Sequence, residues 1–127
     1  MVRRNLEMYA GDTFPFEVTV ENNGSGMNIT NYSFRMTAKY DIKDADVDAV
    51  FSITSPGNIT ITDAANGDIL VTVPASATSD LEIGFTYYLQ YDIQMYSDPG
   101  TIYTVCSGIL KVNPTVSIIA QSNCLSP

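Results

Sequence analysis

The residues best placed to do chemistry are three aspartates, Asp44, Asp46 and Asp48, in the run Asp41 to Asp48 (DIKDADVD). Carboxylates at alternate positions of a tight turn can converge on one hard cation, which is how a calcium loop opens. The rest of that pattern is missing. The position of the loop glycine holds Ala49, and the bidentate acid further on would be Ser55, so these are weak metal candidates and no metal is expected. A solvated, self-repelling loop is the simpler expectation. Nucleophilic and general-base chemistry has even less to work with. The chain has no histidine, its two cysteines, Cys106 and Cys124, stand beside no base, and no glycine-rich phosphate loop occurs. No catalytic residue and no cofactor are therefore expected, and the chain reads as a non-enzyme.

Binding is the chemistry left. Tyr88 and Tyr96 fall on the outward side of the stretch Phe85 to Met95 if Tyr87, Leu89, Tyr91, Ile93 and Met95 turn inward. Exposed rings can stack on a sugar or fill a partner's pocket. Leu6 and Met8, on a short first strand, and Ile118, Ile119 and Leu125, in the tail beyond Pro114, are the other candidate contact residues. A net charge of −8 repels phosphate backbones and anionic bilayers, so neither nucleic acid nor membrane is an expected partner. Arg3 and Arg4, the one basic pair, read as solvated ends, with a neutralising contact to an acidic partner as the alternative.

The elements that must carry these residues are strands. Phe14, Phe16, Val18 and Val20 alternate with Pro15, Glu17 and Thr19; Phe34, Met36 and Ala38 alternate with Arg35 and Thr37. Val50 to Ile53, Ile59 to Thr62 and Ile69 to Val73 follow, the last two as a hairpin closed at Asn66-Gly67. Leu70 is out of phase. The stretch Phe85 to Met95 reads as the central strand, turning at Asp98-Pro99-Gly100 into Ile102 to Val112, with Gly108 expected to mark a bulge or a crossing. No long helix is visible. Short strands separated by turns imply an all-β, immunoglobulin-like antiparallel β-sandwich of about seven or eight strands. The expected division is a sandwich over 1–114 and a C-terminal tail over 115–127, either a docking arm or a frayed end.

The first residues contain no apolar run of signal-peptide length, which leads to an expectation of folding in the cytosol. Cys106 and Cys124 are then most simply free thiols, with a bridge after release as the alternative.

The order of the pieces adds a resemblance. Leu6 to Phe14 (LEMYAGDTF), Ile29 to Arg35 (ITNYSFR), Val73 to Thr78 (VPASAT), Tyr91 to Met95 (YDIQM) and Ser107 to Val112 (SGILKV) look like the short immunoglobulin-like domains of tailed-bacteriophage virion proteins. The similarity spans about residues 5 to 116 and includes the N-terminal domain of the baseplate upper protein family. It implies a virion structural accessory protein, folded in the host cytoplasm and binding capsid or tail subunits non-covalently in the manner of a decoration or cement protein. A tail, neck or baseplate component and a host-surface or glycan-binding module are the alternatives, and self-association into a homo-oligomer is open.

Overall fold

The structure, a computed structural model, describes residues 2–81, 84–97 and 100–115. The tail candidates Ile118, Ile119 and Leu125, together with Cys124, lie outside the described residues, as do positions 98 and 99 of the expected turn. Eleven strands follow in order: β1 (Val2–Arg3), β2 (Leu6–Tyr9), β3 (Phe14–Thr19), β4 (Glu21–Asn22), β5 (Ser25–Gly26), β6 (Ser33–Lys39), β7 (Phe51–Thr54), β8 (Ile59–Asp63), β9 (Asp68–Val73), β10 (Tyr87–Ser97) and β11 (Thr101–Asn113). Among the described residues the helical segments between them are short 3-10 turns.

The larger sheet runs β11-β10-β6-β7, with β1 and β2 both lying along the free side of β11; the smaller runs β3-β9-β8. The chain enters the large sheet, crosses to the small one at β3, returns for β6 and β7, crosses again for β8 and β9, and ends in β10 and β11. That Greek-key path between two facing sheets makes the chain an immunoglobulin-like β-sandwich. The central strand is β10, paired with β11 on one side and β6 on the other.

Alternation explains the core. Leu89, Tyr91, Ile93 and Met95 of β10 and Phe34, Met36 and Ala38 of β6 are buried, facing Ile69, Val71 and Val73 of β9 and Ile59 of β8. Each large aliphatic or aromatic side chain so buried contributes about 1.5 to 3 kcal/mol. Leu70, flanked across the strands by Glu17 and Thr60, is half-buried on the outer face of the small sheet.

Three expectations are corrected. Leu6 and Met8 are core residues, 7% and 3% exposed, and cannot be contact residues. The reason is parallel pairing: β2 sets Leu6 beside Leu110 and Met8 beside Val112, so their side chains share the inward face of β11. The bulge lies at Val105, skipped between the pairs Ile93/Cys106 and Gln94/Thr104, and not at Gly108. Gly108 has a different task. The link from β1 to β2 passes so closely that a Cβ there would fall on the Arg4 carbonyl oxygen and 2.8 Å from its carbon.

Arg4 is the third correction. It remains exposed but is also a structural clamp, tied to the fold as well as solvated. Its guanidinium donates to the Glu17 carbonyl oxygen at 2.6 Å and sits 5.5 Å over the Phe16 ring, tying the open side of the large sheet to β3 of the small one. The Tyr91 hydroxyl donates to the Arg4 carbonyl from inside, with the Cys106 sulfur 3.4 Å away. Burial first, and Cys106 second, push that phenol well above its ordinary range, so it stays a neutral donor.

Candidate protein-binding face

Strand alternation sends every second residue of the large sheet away from the core, and the pairing register decides which of them meet. Gln94 stands opposite Arg35, Asp92 opposite Thr37, and Gln90 opposite Lys39. From β11, Ser107 pairs with Asp92 on one side and with Arg3 of β1 on the other. Lys111 lies between Tyr88 and Glu7. Arg3, Arg35, Lys39 and Lys111 thus stand on one face, four of the chain's six basic residues, and among the described residues strand register and ion pairing bring Glu7, Asp46 and Asp92 to it, with the rest of the acidic loop Asp41 to Asp48 beside it. A strongly acidic domain presents one face that is not acidic.

The middle of this face is a shallow groove of about 260 Å³, lined by Arg3, Arg35, Lys39, Asp46, Asp92 and Gln94 among others. Asp46 enters it from above. The loop after β6 folds back so that its carboxylate lies 2.8 Å from Lys39 Nζ and 3.7 Å from the Arg35 guanidinium. The Lys39 hydrogen bond and charge hold the Asp46 carboxyl below the usual carboxylate range, with Arg35 adding to the effect. Asp92, on the sheet itself, is shifted the other way. Burial raises it, and the nearby cations of Lys39 and Arg35 only partly offset that.

The two tyrosines are both on this face but not together. Tyr88 is 60% exposed, with Lys111 Nζ 5.9 Å over its ring and Ile109 in the same 310 Å³ hollow. Tyr96 lies eight residues along β10, roughly 27 Å away by strand rise, paired with the exposed Ile102. One small ligand cannot touch both rings.

The aspartate candidates are not gathered either. The Asp44 carboxylate accepts from the Asp41 amide at 3.2 Å while its carbonyl accepts from Lys39 at 2.8 Å, and Asp46 is committed to Lys39 and Arg35. Among the described residues no three acidic, cysteine or histidine side chains are grouped to hold a metal. Asp46 nevertheless belongs to the site, as an acid among bases. Arg35 and Lys39 are the residues that sequence reasoning missed, while Arg3 was weighed only as part of a terminal basic pair. The alternation of Arg35 and Lys39 with buried neighbours was visible, but their meeting with Arg3 depends on the successive pairings of β6 with β10, β10 with β11 and β11 with β1.

No family model matches the chain, and no curated protein does. Solved structures are similar to it. One, from photo-crosslinking work on multimeric cell-adhesive interactions of VGSC beta subunits, is 13% identical with a TM-score of 0.41, covering 89% of this chain and 93% of that one. Extracellular domains 3–5 of Drosophila OTK are 13% identical with a TM-score of 0.36, covering 91% of this chain, which spans only 33% of the OTK chain.

Proposed function

We propose that this chain is a non-enzymatic protein-binding module that docks through the outer face of its large sheet, and that its partner is a capsid or tail subunit of a tailed-bacteriophage virion. The observation that carries the first part is the segregation of charge: Arg3, Arg35, Lys39 and Lys111 share a broad strand surface with exposed Tyr88 and Ile102, while the small sheet carries the acids Glu17, Asp63 and Asp68 and no basic residue. Neutral, aromatic and arginine-bearing surface is what protein interfaces favour. The resemblance of the turns and strand positions to immunoglobulin-like virion domains supports the second part.

The chain would then act as a decoration or cement component, or as a tail, neck or baseplate part. Rigid sandwiches repeated over a particle add weak contacts by multivalency. No chemistry is needed for that role, and the residues agree with it: the chain has no histidine, and Cys106 is buried. No helix among the described residues is long and apolar enough to cross a membrane.

The test is occupancy on purified particles. Arg35→Glu with Lys39→Glu should lower the copy number at least tenfold by quantitative mass spectrometry, while Glu17→Lys on the other sheet leaves it unchanged. Equal occupancy for both variants would reject this face, and absence of the wild-type chain from particles would reject the virion role.

A further inference from the structure

We propose that the groove over β6, β10 and β11 is a carboxylate-binding site for an acidic segment of the partner protein, and that Asp46 of the chain's own loop fills it until the partner arrives. This rests on the reading of the outer face as the docking surface, and names what it recognises.

Asp46 shows what the groove accepts. Its carboxylate lies between Lys39 and Arg35, yet its side chain is 68% exposed. It stands at the mouth, where an incoming acid would compete with it. The turn that carries it, Asp46 to Asp48, has no side-chain cap at its start. Exposed Ile42 and Val47, 74% and 89% accessible, flank it without packing into the core. Such a contact is weak enough to exchange, since exposed ion pairs contribute little.

The rest of the groove is built for more than Asp46. Arg3 lines its other side and has no carboxylate within ion-pair distance among the described residues. The groove floor carries Gln90, Gln94 and Thr104, neutral groups able to hydrogen-bond a peptide, and one acid, Asp92, whose charge Lys39 and Arg35 partly offset. Two cationic sites flanking a floor that carries a single acid, Asp92, suit a segment with two acidic side chains. Arginine favours carboxylates because its planar fork can donate two hydrogen bonds at once.

A nucleic acid fits poorly. The loop beside the groove carries Asp41, Asp44 and Asp48, with the Asp44 carbonyl bonded to Lys39, and an extended polyanion running past the groove would meet that acidic loop. A short acidic peptide meets only the groove.

The experiment is an amide-resolved NMR titration of the whole chain with an acetylated, amidated hexapeptide of alternating glutamate and aspartate. A lysine hexapeptide serves as control. Wild-type protein should bind at millimolar peptide, with shifts at Arg3, Gln90, Gln94 and Thr104 that high salt removes. Asp46→Asn should tighten binding roughly two- to fivefold, the loss of one exposed competitor. Arg3→Gln should weaken it, and Arg35→Gln with Lys39→Gln should abolish it. No binding by wild type or by Asp46→Asn overturns the proposal, as does weaker binding by Asp46→Asn or shifts confined to another face. If the peptide fails while particle occupancy still depends on Arg35 and Lys39, the docking face stands and the acidic ligand falls. If the peptide binds there but occupancy is indifferent, the groove stands and the docking role falls.

Discussion

Replacing Gly108 by alanine tests how the open side of the large sheet is built. The added methyl group would fall on the Arg4 carbonyl oxygen, 2.8 Å from its carbon and 3.1 Å from the Asn5 side-chain oxygen. The first two atoms are backbone and cannot swing aside. The β1-to-β2 link must therefore lift, and it is held by the Arg4 amide on the Ser107 carbonyl at 2.8 Å, by Asn5 accepting from the Ile109 amide at 3.1 Å, and by Tyr91 on the Arg4 carbonyl. Forcing a methyl into packed space costs about 1 to 3 kcal/mol. Losing two of those hydrogen bonds adds about 1 kcal/mol each. A total of about 3 to 5 kcal/mol should lower the melting temperature by roughly 10 to 20 °C. Urea unfolding of Gly108→Ala beside Thr54→Ala, an exposed edge substitution expected within about 0.5 kcal/mol of wild type, measures it. A loss under about 1 kcal/mol would show that the link is not pinned where described.

Three other substitutions follow from single contacts. Thr78→Val removes the fully buried hydroxyl that accepts from the Gly11 amide at 2.8 Å, joining two turns at one end of the sandwich; a loss of about 1 kcal/mol is expected in denaturant unfolding. Tyr91→Phe deprives the Arg4 carbonyl of its donor and should cost about 1 kcal/mol or somewhat more, with faster amide exchange along the β1-to-β2 link. Asp92 has a folded-state pKa raised by burial, so the native state binds its proton more readily than the unfolded chain does. Stability from this group therefore falls as pH rises through that pKa. Asp92→Asn should accordingly be more stable than wild type at pH 7, with the gap closing below about pH 4, the ordinary carboxylate range. A less stable Asp92→Asn at pH 7 would reverse the sign.

What the sequence disclosed was whatever repeats locally. The two-residue period of Phe34, Met36 and Ala38, or of Leu89, Tyr91, Ile93 and Met95, needs no knowledge of a neighbour, and both stretches are strands with those side chains buried. Asn66-Gly67 likewise closed its hairpin, Gly67 at φ +80 with Asp63 accepting from the Asn66 amide at 3.3 Å. Contacts distant in sequence were hidden. Leu6 and Met8 alternate like any edge strand, and only parallel pairing with Leu110 and Val112 makes them core. Gly108 looked like a bulge because glycine in a strand can signal either a bulge or a close approach. The approaching segment, Arg4, lies about a hundred residues earlier. Arg35 and Lys39 looked like ordinary outward residues, and their convergence with Arg3 is a property of register.

The claim that the large sheet's outer face is the docking surface can be tested most directly by a photo-crosslinking residue placed at Gln94, in the groove, and separately at Thr60, exposed on the opposite sheet. In assembled particles the account predicts a covalent product between this chain and a second protein from position 94 and none from position 60. Crosslinking from position 60 alone would contradict it.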